Sequence, residues 1–212
     1  MGLCAGVWLI EHSPREELPP QPSPEQAALP SEGPTADPGT QAMVPLPPSE
    51  PVRVRIPAIE VDAAVMPLGL EEDGSLEVPP QEAANLTGWY EGGATPGTRG
   101  TAIVAGHVDS AAGPSVFYGL GSLKKGNTVA VDRADGLTAE FEVHAIEVYD
   151  RDAFPDDRVY GPSSRAEIRL ITCGGGYSRS DGYLGNVVVY GHLTAITVTP
   201  EARPAAAAHP PG

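Results

Sequence analysis

The stretch RAEIRLITCGGG, residues 165–176, alternates polar and apolar side chains, becomes apolar, and then runs into three glycines. This pattern predicts a half-buried β-strand over residues 165–173, followed by a bend where the backbone can pass close to another segment. Cys173 is the last residue of the predicted strand. A thiol in this position either faces an opening as a nucleophile or fills space in a core, and this stretch alone leaves both interpretations open.

Strand patterns dominate the chain on both sides of this stretch. Further strands are predicted over residues 52–59, 61–70, 76–78, 101–107, 128–132, 138–149 and 186–193. Residues 134–136, Ala-Asp-Gly, favour a hairpin turn between two of them. Short helices are predicted over residues 81–86, near 115–120 and near Asp152. About eight strands without regular helix alternation predict a mostly β domain that forms a closed or nearly closed barrel.

Composition divides the chain into four segments. Residues 13–51 hold 12 of the 24 prolines and almost no aromatic residues, which predicts a disordered, extended spacer. Residues 52–198 are expected to form one folded domain, and residues 199–212 a disordered Ala/Pro-rich tail. Residues 1–12 are an apolar stub too short to cross a bilayer, which we interpret as the remnant of a truncated membrane anchor. This order of segments is typical of a surface-tethered extracellular enzyme.

Charge and cysteine content exclude several classes of protein. The net charge of −15 leaves no basic stripe to neutralise phosphates, so no nucleic-acid partner is expected. The two cysteines, Cys4 and Cys173, cannot build the usual four-ligand zinc site. Cys4 belongs to the apolar stub, so Cys173 has no obvious disulfide partner. A free thiol in a chain with export features is unusual unless it reacts.

A cysteine nucleophile needs a base or cation nearby, because the thiolate is the attacking species. His107 ends a predicted buried strand and faces a loop, and His192 ends the predicted strand that follows Cys173. His144 lies in the middle of a strand, where a histidine usually has a packing role. The pattern therefore favours His107 and leaves His192 as the alternative.

Acyl transfer also needs a donor to the oxyanion that forms when a thiolate adds to a carbonyl. Arg179 is the only arginine between Cys173 and the predicted tail. It either donates to this oxyanion or is a solvated loop charge paired with Asp181.

Several blocks of the sequence resemble one known family. Leu170-Ile171-Thr172-Cys173 resembles the sortase signature, in which Thr and Cys end one barrel strand. Residues 88–90, 96–100, 105–110, 113–118 and 186–190 resemble class F sortases of high-GC Gram-positive bacteria. The resemblance covers about residues 52–194, with the blocks in the same order and spacing.

The resemblance implies an eight-stranded, closed sortase-type β-barrel with a few short helices. It also implies a cysteine transpeptidase, held on the outer face of the cell membrane by an N-terminal segment and needing no metal or cofactor. Cys173 matches the family's nucleophile and His107 its histidine, which decides against His192. Many relatives carry their arginine where this chain has residues 183–185, Tyr-Leu-Gly, so Arg179 is the candidate here. Thr172 is expected to help position the substrate.

The reaction implied is the cleavage of an LPXTG-like sorting signal through a thioacyl intermediate. Its partners are surface proteins with a C-terminal sorting signal and an amine acceptor, either a peptidoglycan precursor or a pilin lysine. Two alternatives remain: a hydrolytic cysteine peptidase, or a non-catalytic or impaired surface barrel that only binds peptide. The order of His107 before Cys173 counts against papain-type peptidases, which place cysteine first.

Overall fold

The structure, a computed structural model, describes residues 18–27 and 43–199. Its strands are β1 (Pro51–Ile56), β2 (Val61–Leu68), β3 (Leu86–Tyr90), β4 (Gly100–Ala105), β5 (Asp109–Ser110), β6 (Gly113–Pro114), β7 (Thr128–Arg133), β8 (Leu137–Asp150), β9 (Ala166–Ser178) and β10 (Gly182–Val198). The helices found in the described residues are α1 (Asp156–Tyr160) and single 3-10 turns at Pro57–Ile59, Leu120–Ser122 and Arg151–Ala153.

Eight of these strands pair edge to edge as a closed barrel, in the order β1-β2-β3-β4-β9-β10-β8-β7, with β7 returning to β1. The β2–β3 and β4–β9 pairs are parallel, and the remaining neighbours are antiparallel. Strands β5 and β6 form a small hairpin of their own after β4. The predicted mostly β fold with an eight-stranded closed barrel and few short helices is confirmed.

Alternating side chains give the barrel wall two apolar faces. The inward face builds the main core, to which β4 contributes Val104 and β9 contributes Leu170. The outward face of the same strands carries a second cluster, in which Ile103 and Ile171 pack with Val159 of α1. Odd-numbered residues of β4 and β9 therefore point outwards, and the chain continues this alternation towards the candidate site.

The helix predicted over residues 81–86 is absent, and that prediction was wrong. Residues 81–85 form turns, and a strand that the sequence did not predict, β3, begins at Leu86 and pairs in parallel with β2. Gly88 weakens the strand pattern in the sequence, but the structure requires glycine there. A Cβ on Gly88 would lie 2.4 Å from the side chain of Leu68, which fills that space.

Two other strand predictions differ in extent. The strand expected over residues 76–78 is reduced to an isolated bridge between Leu70 and Leu76. The strand expected to end at Cys173 continues to Ser178 as half of a long hairpin with β10. The hairpin predicted at residues 134–136 is confirmed and joins β7 to β8.

Two parts of the predicted spacer contact the barrel. Gln26 accepts a hydrogen bond from Ile146 N at its carbonyl (2.9 Å), and one from Lys125 N at its side chain (2.8 Å). Leu46 donates its N–H to Gly97 O at 2.8 Å and packs against the main core. The disorder predicted for the whole of residues 13–51 stays a prediction, because the rest of that segment lies outside the described residues.

Arg133 anchors the second of these contacts from inside the barrel end. Its side chain is fully buried, donates to the carbonyls of Pro47 (2.6 Å) and Pro96, and pairs with Asp135 at 2.7 Å. The guanidinium hydrogen bond lowers the pKa of the Asp135 carboxyl. The chain just before β1 is thus attached to the β7–β8 end of the barrel.

The apolar stub and, apart from Thr199, the predicted tail lie outside the described residues. None of the helices in residues 18–27 and 43–199 is long and apolar enough to cross a membrane.

Candidate active site

The parallel pairing of β4 with β9 aligns His107 with Cys173. Ala105 pairs with Ile171 at the end of the ladder, and Gly106 N continues the pairing by donating to Ile171 O at 3.1 Å. Two residues beyond Ala105 and Ile171, the same register sets His107 opposite Cys173, on strands roughly 4.8 Å apart. Both residues continue the outward-facing set. The structure therefore brings the predicted base and the predicted nucleophile to the same end of two neighbouring strands.

Thr172 holds this register from within the wall. Its side chain is 4% exposed, and its Oγ1 donates to the carbonyl of Gly106 at 2.8 Å. One hydroxyl thus joins the residue before Cys173 to the residue before His107. The role predicted for Thr172 in substrate binding stays a prediction.

The His107 ring is half-buried, and its Nε2 lies 2.6 Å from the carbonyl oxygen of Pro79. A carbonyl only accepts, so Nε2 is the donor and carries a proton in this arrangement. In the neutral ring, Nδ1 is then the acceptor. Within the described part of the chain His107 and Cys173 share no hydrogen bond, which is common in a site without substrate.

Cys173 is exposed to solvent, but neighbouring atoms remove part of the hydration of its thiol. This partial burial raises the pKa of Cys173, because it removes hydration from the thiolate. The carboxylate of Asp109 raises this pKa further, since a like charge disfavours the thiolate, whereas the guanidinium of Arg151 lowers it. The thiol form therefore predominates at neutral pH.

The three glycines after Cys173 let β9 cross β10 closely. Gly175 has a φ of +75°, and a Cβ there would lie 3.2 Å from Gly185 of β10. The N–H of Gly175 donates to Gln21 Oε1 at 3.3 Å. The described segment 18–27 therefore reaches within two residues of Cys173.

Arg179 lies in the exposed turn between β9 and β10. It has no hydrogen bond or ion pair with the described residues. Asp181, with which a solvated loop charge was expected to pair, is bonded instead by the hydroxyls of Ser180 (2.6 Å) and Ser178 (3.0 Å). The oxyanion role of Arg179 stays a prediction.

Three residues that sequence reasoning gave no role surround the thiol. Arg151, directly after β8, donates from Nη2 to the carbonyls of Tyr183 and, at 3.2 Å, Asp181. The Tyr183 hydroxyl donates to the carboxylate of Asp109. Burial, reinforced by this bond, raises the pKa of Tyr183. Asp109 could have been predicted to lie near the site, because it follows His107 by two residues. No sequence pattern around Arg151 predicts that it lies there.

His192, the alternative to His107, lies elsewhere on the barrel. It pairs with Glu167, six residues before Cys173 on β9, which is roughly 20 Å along a strand. Its Nδ1 lies 3.4 Å from Nδ1 of His144. Burial lowers the pKa of both rings, that of His144 to about 4, so both are neutral at pH 7. The two histidines belong to a part of the barrel wall away from Cys173.

A groove of about 520 Å³ lies on the outward face of β4, on the same side as the candidate site. Ile103 and Thr101 of β4 line it together with Tyr90 of β3. Tyr160 and Asp156 of α1 form the opposite wall. The groove can hold an extended peptide segment against an apolar floor. Residues 18–27 and 43–199 contain no group of three or more His, Cys, Asp or Glu side chains that could hold a metal ion.

Comparison with known proteins agrees with this architecture. Residues 54–194 match the family model of the sortase domain. Sortase A from Listeria monocytogenes has a TM-score of 0.54 and 17% identity, covering 73% of this chain and 93% of that one. A lid mutant of sortase A from Corynebacterium diphtheriae gives 0.53 and 21%, over 68% and 70% of the two chains. Sortase C-1 from Actinomyces oris gives 0.52 and 22%, over 69% and 76%. No curated protein sequence matches the chain.

Proposed function

Because the chain belongs to the sortase family of cysteine transpeptidases, we propose that it cleaves an LPXTG-like sorting signal and transfers the protein to an amine. The observation that carries this proposal is the parallel register of β4 and β9, which aligns His107 with an exposed Cys173. Acyl transfer through a covalent intermediate requires a nucleophile and a proton carrier side by side.

In the first half-reaction Cys173 passes its proton to His107, and the resulting thiolate attacks the Thr–Gly carbonyl of the signal and forms a tetrahedral oxyanion. The C–N bond then breaks, His107 gives that proton to the departing glycine amine, and a thioester to Cys173 remains. Backbone N–H groups beside Cys173 and the Arg179 guanidinium are the proposed donors to the oxyanion. The raised pKa of the thiol limits the fraction of enzyme that starts in the reactive state.

In the second half-reaction an incoming amine attacks the thioester. The C–S bond breaks, the thiolate leaves, and neutral His107 accepts the proton released by the amine. The proposed acceptor is an amine of a peptidoglycan precursor or of a pilin lysine. Water as the acceptor would make the same enzyme a hydrolytic peptidase.

The groove on β4 is the proposed binding site for the residues upstream of the cleaved bond. Ile103 precedes His107 by four residues, so the groove floor lies roughly 13 Å from the level of Cys173. An extended peptide spans about 3.3–3.6 Å per residue, which brings residues three or four positions upstream over that floor. The apolar surfaces of Ile103, Tyr90 and Tyr160 suit the Leu-Pro start of such a signal.

The proposed location is the outer face of the membrane, where both sorting signals and amine acceptors are available. The N-terminal tether and the assignment to class F remain part of this proposal.

The test is to incubate the full chain with fluorogenic LPXTG-like peptides, with and without an amine acceptor. Cleavage with a ligated product in the presence of amine supports transpeptidation. Cleavage without amine incorporation would identify a peptidase, and equal peptide binding by wild type and Cys173→Ala without cleavage would identify a binding barrel. His192→Ala is the matched histidine control and should keep wild-type turnover.

A further inference from the structure

We propose that Arg151, the residue that follows β8, is the cation that positions and activates Cys173. It would do so by holding the β9–β10 hairpin against the site with its charge facing the thiol. This inference deepens the proposed function and rests on it only in taking Cys173 as the nucleophile.

The strand register places Arg151 beside the site. Asp150 at the end of β8 pairs with Gly185 of β10, and Gly185 pairs in turn with Gly174 of β9. These three residues form one row across the barrel wall. Because β8 and β9 both run antiparallel to β10, Arg151 lies one residue beyond this row on β8 and Cys173 lies one residue before it on β9, in opposite directions along the wall. Two strand spacings and two residues along the strands separate their backbones, roughly 12 Å. A long arginine side chain can cross much of this distance.

The contacts of Arg151 direct its side chain across β10. Its Nη2 donates to the carbonyls of Tyr183 and Asp181, which belong to the tip of the hairpin that carries Cys173. One guanidinium thereby satisfies two backbone acceptors and ties the hairpin to the end of β8. Loss of these bonds should loosen the backbone on which the nucleophile is placed.

The charge of Arg151 is not used in an ion pair within the described ranges, unlike that of its neighbours. Arg158 lies 3.9 Å from a Glu147 oxygen, and Arg165 and Arg169 share the carboxylate of Glu167 at 2.6 Å each. The hydrogen-bond acceptors of Arg151 are neutral carbonyls, and the nearby Asp181 carboxylate is hydrogen-bonded to serine hydroxyls rather than to the guanidinium. A cation held in this way is available to stabilise a thiolate.

Tyr183 is hydrogen-bonded to both a positive and a negative group near the thiol. Its carbonyl accepts from Arg151, and its hydroxyl donates to Asp109, two residues after His107. The carboxylate of Asp109 raises the pKa of Cys173 and the guanidinium lowers it. Other titratable groups around the site are His107, Tyr183, Tyr118, which raises the pKa of Tyr183, and Asp181, whose pKa is lowered mainly by serine hydroxyls and to a smaller extent by Arg151.

The test is the rate of Cys173 alkylation by iodoacetamide as a function of pH. It is measured on the full chain by mass spectrometry of the Cys173 peptide, so that Cys4 does not interfere. Arg151→Gln should slow alkylation about three- to tenfold at pH 7, as expected for losing one charge in a partly hydrated site. Arg151→Lys should keep most of the rate. The matched control Arg158→Gln should leave the rate unchanged, and Asp109→Asn should accelerate it.

Salt separates a charge effect from a purely structural one. The difference between wild type and Arg151→Gln should shrink in about 1 M NaCl, because exposed charges are then screened within about 3 Å. Thermal unfolding of each variant checks the fold. If Arg151→Gln is unfolded at the assay temperature, Arg151→Met is measured in its place.

The inference is overturned if Arg151→Gln alkylates like Arg158→Gln, or if Arg179→Gln produces the slowing instead. It is also overturned if Arg151→Lys is as slow as Arg151→Gln and the defect persists in high salt. Because alkylation needs no peptide, failure of the wild type to cleave any sorting signal would reject the proposed function and leave the result for Arg151 standing.

Discussion

Thr172→Val tests whether the alignment of the site depends on one buried hydroxyl. Valine keeps the β-branched shape, so the main change is the loss of the 2.8 Å hydrogen bond to the Gly106 carbonyl. Leaving a buried acceptor unsatisfied costs about 1–3 kcal/mol. For a domain of this size each kcal/mol lowers the unfolding temperature by about 2–4 °C, so a fall of about 2–12 °C is expected.

The same substitution should lower turnover. Gly106 directly precedes His107, so losing the bond frees the histidine to move relative to Cys173, and misplacement of about 1 Å costs up to about a hundredfold. We expect kcat to fall at least about tenfold while KM stays near the wild-type value. Thr172→Ser is the matched control, because it restores the hydroxyl, and it should recover most of the lost kcat.

The assay combines thermal unfolding with steady-state cleavage of a fluorogenic sorting peptide. A Thr172→Val protein with wild-type stability and kcat but a raised KM would refute the structural role of the hydroxyl. That result would favour the direct substrate contact predicted from the sequence.

Three further predictions follow from the site and the barrel. His107→Ala should lower kcat/KM about 10²–10⁴-fold, as for other general acid–base residues, and a loss below about tenfold in steady-state kinetics would contradict its role. The alkylation rate of wild-type Cys173 should rise with pH to a midpoint above the ordinary thiol pKa of about 8.5. The reason is that burial and the Asp109 carboxylate raise the pKa of the thiol more than the Arg151 guanidinium lowers it. A midpoint below that value would contradict these interactions. A chain that starts at Val52 should unfold at a lower temperature than one that starts at Met43, since it lacks Pro47, one of the hydrogen-bond partners of buried Arg133. Equal unfolding temperatures would show that these contacts add no stability.

Much of the fold could be predicted because alternating polar and apolar residues indicate the strands, and turn residues indicate where they end. The chief error was β3, whose Gly88 interrupts the β pattern for a reason visible only in three dimensions, namely the side chain of Leu68. Propensity describes a residue alone, whereas a close approach between strands depends on both partners.

The residues of the candidate site were likewise only partly predictable from the sequence. Cys173 and His107 could be predicted as candidates because each stands near the end of a predicted apolar strand and matches a family motif. Arg151 could not be predicted as a candidate, because it lies 22 residues before Cys173 and approaches it only through the pairing of β8 with β10. Cross-strand neighbours of this kind have no fixed sequence spacing, so no local pattern could indicate them.

The parallel ladder between β4 and β9 also has a consequence for folding kinetics. The hydrogen bond from Thr172 to Gly106 joins residues 66 positions apart, and parallel strands cannot meet through a tight turn. Contacts of such high contact order close a long loop and tend to form slowly. The nascent chain therefore carries His107 and Cys173 before they can lie on neighbouring strands, so the candidate site forms only as the barrel closes.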